Sequence, residues 1–142
     1  MNISNKQAAA IVIGLVAVWL VVQVDREKAD TRIVNLGDAD FEETIQESEL
    51  PVLVDFWAPW CGPCRKIQPG LNKLVKDLDG RVLFTKVNID HAPTLAAKYG
   101  GQGIPLLVLF DKGEEVSALL GAYSYQEYKS WIIRSVFDTS DS

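Results

Sequence analysis

Hydrophobic and polar residues follow several distinct rhythms along this chain. Residues 8–24, AAAIVIGLVAVWLVVQV, carry no charge, and Gln23 is their only strongly polar side chain. A helix of this composition is apolar on every side and lacks the single stripe of an amphipathic one. Its 17 residues rise about 25 Å, against a hydrocarbon core of roughly 30 Å. The expectation is a transmembrane anchor over 8–24, with Trp19 and Gln23 near one interface. Two readings compete. Lys6 and the α-amino group suit a cleaved signal peptide, but Ala29-Asp30-Thr31 is the nearest approach to a cleavage site, and Thr is a poor final residue. A buried soluble helix is the third reading, and the missing stripe counts against it. Residues 1–7 form a short tail before this stretch. Residues 25–31, DREKADT, are charged and aperiodic, as befits a linker.

From residue 32 the rhythm changes. RIVNL (32–36) alternates and reads as a short strand. Asp38 suits the N-cap of a helix over 39–47, with Phe41 and Ile45 on one face. PVLVDFWA (51–58) is an apolar run broken by one Asp, the pattern of a strand buried on both faces. A helix follows over 61–78, with Ile67, Leu71, Leu74, Val75 and Leu78 as its apolar face and Pro69 inside it as a source of kinking. RVLFTKVNI (81–89) reads as a strand. Pro93 opens a short helix that Gly100 and Gly101 end after Tyr99. Strands over 106–110 and 114–120 flank Asp111-Lys112-Gly113, a hairpin signal. Residues 125–137 close the domain as a helix with Tyr128, Ile132 and Val136 in register. The order β-α-β-α-β-α-β-β-α predicts an α/β domain over 32–138: a central mixed sheet, helices on both faces and an antiparallel edge. Residues 139–142 are a tail.

Charge narrows the partners. The 142-residue chain has a net charge of -5, and its Lys and Arg residues are interspersed with acids. No basic run offers itself to nucleic acid. The two cysteines, Cys61 and Cys64, close too small a loop to act mainly as a staple.

Their placement suggests chemistry instead. Cys61 falls at the start of a helix, where free N–H groups and the helix dipole favour a thiolate. Cys64 is one turn on and can reach back. Pro63 stiffens the turn at a position where its missing N–H costs nothing, and Gly62 admits another backbone. Such a pair can attack a disulfide with one thiol and resolve the mixed disulfide with the other. Zinc is the weaker reading, since the only further soft ligand is the distant His91. An inert buried pair fits a helix start poorly. No metal and no organic cofactor is therefore expected. Asp55 interrupts the buried strand, so its carboxyl should resist ionisation and could accept the proton of Cys64. A structural Asp bonded to backbone is the plain alternative. Lys86 is the natural charge partner of Asp55, unless it is an edge-strand lysine reaching for water.

These residues resemble a known family. VDFWAPWCGPC, Lys86 to Asp90, Tyr99-Gly100, Gly103-Ile104-Pro105 and Gly121-Ala122 are similar to thioredoxin in order and spacing, over roughly residues 32–138. The resemblance implies the thioredoxin fold, here preceded by one transmembrane helix. It makes Cys61 the nucleophile and Cys64 the resolving thiol. The family's buried Asp and its Lys fall on Asp55 and Lys86, its helix-kinking proline on Pro69, and its cis-proline facing the disulfide on Pro105. With Trp60 and Ile104, Pro105 would form an apolar ledge that holds a substrate's extended backbone. Two local departures bear on substrate choice: Leu106 stands where thioredoxins usually carry Thr, and Arg65-Lys66 replaces the usual basic-apolar pair.

The implied activity is reduction of disulfide-containing protein substrates, with re-reduction by an electron-donating reductase or a membrane electron relay. Residues 8–24 would meet membrane lipid. The seven-residue tail favours a signal-anchor in the cytoplasmic membrane with the domain in the periplasm or another outer space, although Lys and Arg counts do not decide it. Two rivals remain: a tethered client-binding module or holdase, and a disulfide oxidase or isomerase using the same pair.

Overall fold

The computed structural model describes residues 33–138, together with residues 7, 9 and 11–13. The chain divides into two compact units, residues 1–30 and 31–142. In the first, the described residues are helical, and Ile11, Val12 and Ile13 are exposed. Among the described residues no helix is long and apolar enough to cross a membrane. The anchor expected over 8–24 lies mostly outside the described residues, and the linker over 25–31 and the tail over 139–142 lie wholly outside them.

Among the described residues the second unit has five strands and four α-helices. Strand β1 spans Val34–Leu36, helix α1 Phe41–Glu47, β2 Val52–Trp57, α2 Gly62–Asp77, β3 Leu83–Asn88, α3 Pro93–Tyr99, β4 Leu106–Asp111, β5 Glu114–Leu120 and α4 Tyr125–Val136. The sheet order is β1-β3-β2-β4-β5. β1, β3 and β2 are parallel, whereas β4 runs antiparallel to β2 and β5 antiparallel to β4. This is the expected mixed sheet.

β2 lies at its centre, and Val52 to Phe56 are all buried, which explains the near-continuous apolar run. Alternate residues serve two cores. Val52, Val54 and Phe56 pack with Phe41 and Ile45 of α1 and with Leu95 and Tyr99 of α3. There Phe56 stacks on Tyr99 at 4.7 Å between ring centroids. Leu53, on the opposite face, packs with Ile67, Leu71 and Leu74 of α2 and with Tyr128 and Ile132 of α4. The helices therefore cover both faces, α1 and α3 on one and α2 and α4 on the other.

Asp38 does not cap the helix that follows it. Asp40 holds the N-cap position of α1, and its carboxylate accepts the Gly37 N–H at 2.6 Å. The Asp38 carboxylate instead accepts the N–H groups of Thr94 and Leu95, each at 2.9 Å, in the first turn of α3. Those contacts hold its pKa below the ordinary carboxylate range. Local spacing could not choose between two aspartates two residues apart, and only the folded chain brings α3 to one of them.

Elsewhere the boundaries agree closely. α2 continues through Pro69 to Asp77. After Tyr99 the chain makes one 3-10 turn over Gly100–Gln102 before leaving the helix. In the β4–β5 hairpin, Lys112 and Gly113 take φ values of 52° and 84°, the left-handed pair of a two-residue type I′ turn. A Cβ on Gly113 would meet only the movable end of the Gln46 side chain, so it is the positive φ that favours glycine there. α4 begins with a capping box, in which Ser124 accepts the Glu127 N–H and the Glu127 side chain accepts the Ser124 N–H.

Candidate active site

β2 ends at Trp57, and three residues separate it from Cys61, where α2 begins. Cys61 is the N-cap of that helix, with extended backbone, and Pro63 sits within the first turn. Cys61 and Cys64 are joined as a disulfide with a Cα–Cα distance of 5.3 Å. The Cys64 N–H points at Cys61 Sγ, 3.2 Å away. That donor would favour a thiolate on Cys61 in the reduced protein, and the positive end of a 16-residue helix acts in the same direction. The two cysteines differ in access: Cys61 is 4% exposed and Cys64 is 0% exposed. An incoming disulfide can therefore reach Cys61 more readily. Both pack with Ala58, and partly buried Trp57, Ile89 and Ile104 close the cluster.

Asp55 stands on the α2/α4 side of β2 and is only 2% exposed. Burial pushes its pKa from 3.8 up to about 6, against the opposing pull of a Gln68 hydrogen bond and the Lys86 charge. Gln68 Nε2 donates to Asp55 Oδ2 at 3.1 Å. Asp55 Oδ1 is buried and, among the described residues, has no hydrogen-bond partner, a condition it shares with Trp57 Nε1. The protonation state of such a carboxyl is poised close to neutral pH.

Lys86 is the direct register neighbour of Asp55 across the β2–β3 pair. Its ammonium lies over an aromatic ring, 5.2 Å from the Trp57 centroid. β3 lies between β1 and β2, so the alternative of an edge-strand lysine does not hold. Lys86 acts on Asp55 as a nearby charge, and Gln68 supplies the hydrogen bond.

Of the three residues expected to form a ledge, Trp60 precedes Cys61 directly in the chain. Trp60 is 66% exposed, and its indole N–H donates to both oxygens of Asp90, each at 3.1 Å. Ile104 packs on the cysteine cluster. Pro105 is buried, and its peptide bond with Ile104 is cis. The Pro105 carbonyl accepts the Gly121 N–H at 2.9 Å.

Sequence reasoning missed three contributors. Gln68 falls one turn after Cys64 on the same helix face, a polar residue between apolar Ile67 and Leu71, and that interruption was the available signal. Asp90 belongs to the segment that carried the resemblance, but nothing local ties it to Trp60. Tyr128 counted only as an apolar helix position. Its hydroxyl donates to the Gly121 carbonyl at 2.9 Å and accepts the Tyr123 N–H at 3.2 Å, fastening the loop that contacts Pro105.

A CxxC disulfide at a helix start, with a buried carboxyl of raised pKa on the strand that leads into it and held from one turn further along the same helix, defines a thiol–disulfide oxidoreductase site. Comparison with known proteins names its lineage. The thioredoxin family model matches residues 32–134. The chain is 40% identical over 102 residues to thioredoxin of Rickettsia felis, covering 72% of this chain and 97% of that protein. It is 46% identical over 87 residues to thioredoxin of a Synechocystis species, covering 61% of this chain and 81% of that one. Thioredoxin M4, chloroplastic, of Arabidopsis thaliana is 39% identical over 110 residues, which are 78% of this chain and 57% of that longer protein. The chain belongs to the thioredoxin family and is a disulfide oxidoreductase of that type.

Proposed function

We propose that this protein is a membrane-tethered thioredoxin that reduces protein disulfides, with residues 32–138 as the working domain and 8–24 as its anchor. The observation that carries the chemistry is the Cys64 N–H aimed at Cys61 Sγ at the N-terminus of α2. In the reduced protein the Cys61 thiolate attacks one sulfur of a substrate disulfide. A Cys61–substrate disulfide forms, and the other substrate sulfur leaves as a thiolate that takes a proton from water. Asp55 then accepts the proton of Cys64. The Cys64 thiolate attacks Cys61 Sγ, and the second substrate sulfur is released. The substrate has gained two electrons, and Cys61 and Cys64 are left as the disulfide seen here. A dithiol donor, a reductase or a membrane relay, returns the two electrons.

Trp60, Ile104 and Pro105 form the apolar ledge on which an extended substrate segment lies beside Cys61. Lys86 moderates the proton affinity of Asp55 through its charge. The reducing direction is supported by the Gly62-Pro63 dipeptide, which resembles that of reducing members of the family. The apolar, uncharged run over 8–24 supports the tether, and we propose that the domain faces the outer side of the cytoplasmic membrane.

Two measurements test this reading. The equilibrium potential of the Cys61–Cys64 pair is expected near that of reducing thioredoxins, roughly −270 mV, and a value near the roughly −120 mV of a strong oxidase would overturn the direction. Intact cells treated with an impermeant reductant and then an impermeant maleimide are expected to show Cys61 labelled. Labelling only after lysis would put the domain inside.

A further inference from the structure

The carboxylate of Asp55 has unequal surroundings. Among the described residues each packed element offers it a different group. From β3 comes the charge of Lys86, its register neighbour. From β4 the register neighbour is Leu107, which is uncharged. From α4 comes Tyr128, on which the Asp55 charge acts, but whose hydroxyl is committed to Gly121 and Tyr123. From α2 comes Gln68, and it alone donates a hydrogen bond, Nε2 to Oδ2 at 3.1 Å. Oδ1 is left buried and without a partner.

That bond reaches across the layer between helix and sheet. Residues four apart share a helix face, so Cys64 and Gln68 lie one turn apart on the same side of α2. The thiol that gives up a proton and the amide that holds the acceptor thus ride on one rigid element. Gln68 is half-buried, so its stem packs while its amide reaches inward. A hydrogen bond to one carboxylate oxygen fixes the plane of the group and favours its ionised form.

We propose that Gln68 is a positioning residue for the resolving step, holding Oδ2 of Asp55 so that Oδ1 is the atom that takes the proton of Cys64. This rests on the reading of Asp55 as base. The protein then uses a neutral amide to keep a buried carboxylate in one orientation and available in its basic form.

The test is the rate at which the Cys61-linked mixed disulfide is resolved, followed from pH 5 to pH 9 in single turnovers with a disulfide-bearing protein. In the native protein the rate rises with pH as Asp55 ionises. Gln68→Met removes the donor and keeps the bulk. Its midpoint is expected to move up by about one pH unit, with resolution at least roughly tenfold slower below both midpoints and a lowered plateau above them, because the accepting oxygen is no longer held. Gln68→Lys restores a donor and is expected to return the midpoint to the native position or below it, so it reads the same relation if the Met variant does not fold. In an Asp55→Asn background, Gln68→Met is expected to change nothing further. A Gln68→Met profile superimposed on the native one, with Asp55→Asn slowed, would make Gln68 mere packing and leave Asp55 as the base. Native resolution rates in Asp55→Asn would remove Asp55 from the step and the role of Gln68 with it.

Discussion

Trp60 and Asp90, thirty positions apart, meet at the surface, where the indole N–H lies 3.1 Å from each carboxylate oxygen. An exposed aromatic side chain is thereby held in one orientation beside the reactive cysteine. Asp90 is itself braced, since its N–H donates to Asn88 Oδ1 at 3.0 Å. Asp90→Ala should release the ring with little effect on folding. The loss of a surface hydrogen bond is expected to raise KM for a disulfide-bearing protein about two- to fivefold, with kcat nearly unchanged. Steady-state kinetics checks this, and an unchanged KM would detach Trp60 orientation from substrate binding.

Asp55 also makes stability depend on pH. Its pKa is near 3.8 when solvated and about 6 in the fold, so between those values the folded protein binds more protons than the unfolded one. Stability therefore falls as pH rises from about 4 to about 6 and stays at the lower level above that. Asp55→Asn, which keeps an acceptor for Gln68, should match the oxidised native protein near pH 4. At pH 8 it should be more stable by on the order of 3 kcal/mol. Urea titrations of the two oxidised proteins at both pH values measure the gap. A gap that does not widen with pH would mean that Asp55 is better solvated than its burial implies.

Tyr128 joins core and site. Its ring is fully buried, and its hydroxyl serves one carbonyl and one N–H of the 121–123 loop. Tyr128→Phe keeps the packing and strands both backbone groups. The expected cost is about 1–3 kcal/mol in denaturant unfolding, together with faster amide exchange at Tyr123. Equal exchange in the two proteins would show that the loop is held by other contacts.

Asp38 supports α3 from outside that helix. Its lowered pKa places the contribution above the ordinary carboxylate value, and the contribution is lost as pH falls through the depressed folded value. Asp38→Ala is therefore expected to melt below the native protein at pH 7 and together with it in strong acid. Thermal unfolding at the two pH values is the check, and a constant difference would assign the effect to packing.

Much of this molecule follows from short-range pattern. The run Val52 to Phe56 can only be satisfied by burial on both faces, so a central strand is implied before any neighbour is known. The spacing of Ile67, Leu71 and Leu74 implies one buried helix face. Trp60 to Cys64 implies a reactive pair at a helix start, because the helix dipole, the proline and the three-residue spacing are all local. The apolar run over 8–24 is likewise a property of the sequence itself, and its reading as an anchor rests there.

What only tertiary structure decided are relations between segments far apart in the chain. Asp38 and Asp40 look alike to any local rule, and the arrival of α3 separates their roles. Lys86 was the obvious partner of Asp55 by charge, yet hydrogen bonding is short-ranged and directional, and the donor that folding brings within 3.1 Å is Gln68. The link from Trp60 to Asp90 arises in the same way. Periodicity reports which side of an element is buried. It carries no information about which polar atom on another element will lie within hydrogen-bond reach, and that depends on the sheet order and on how the helices seat against it.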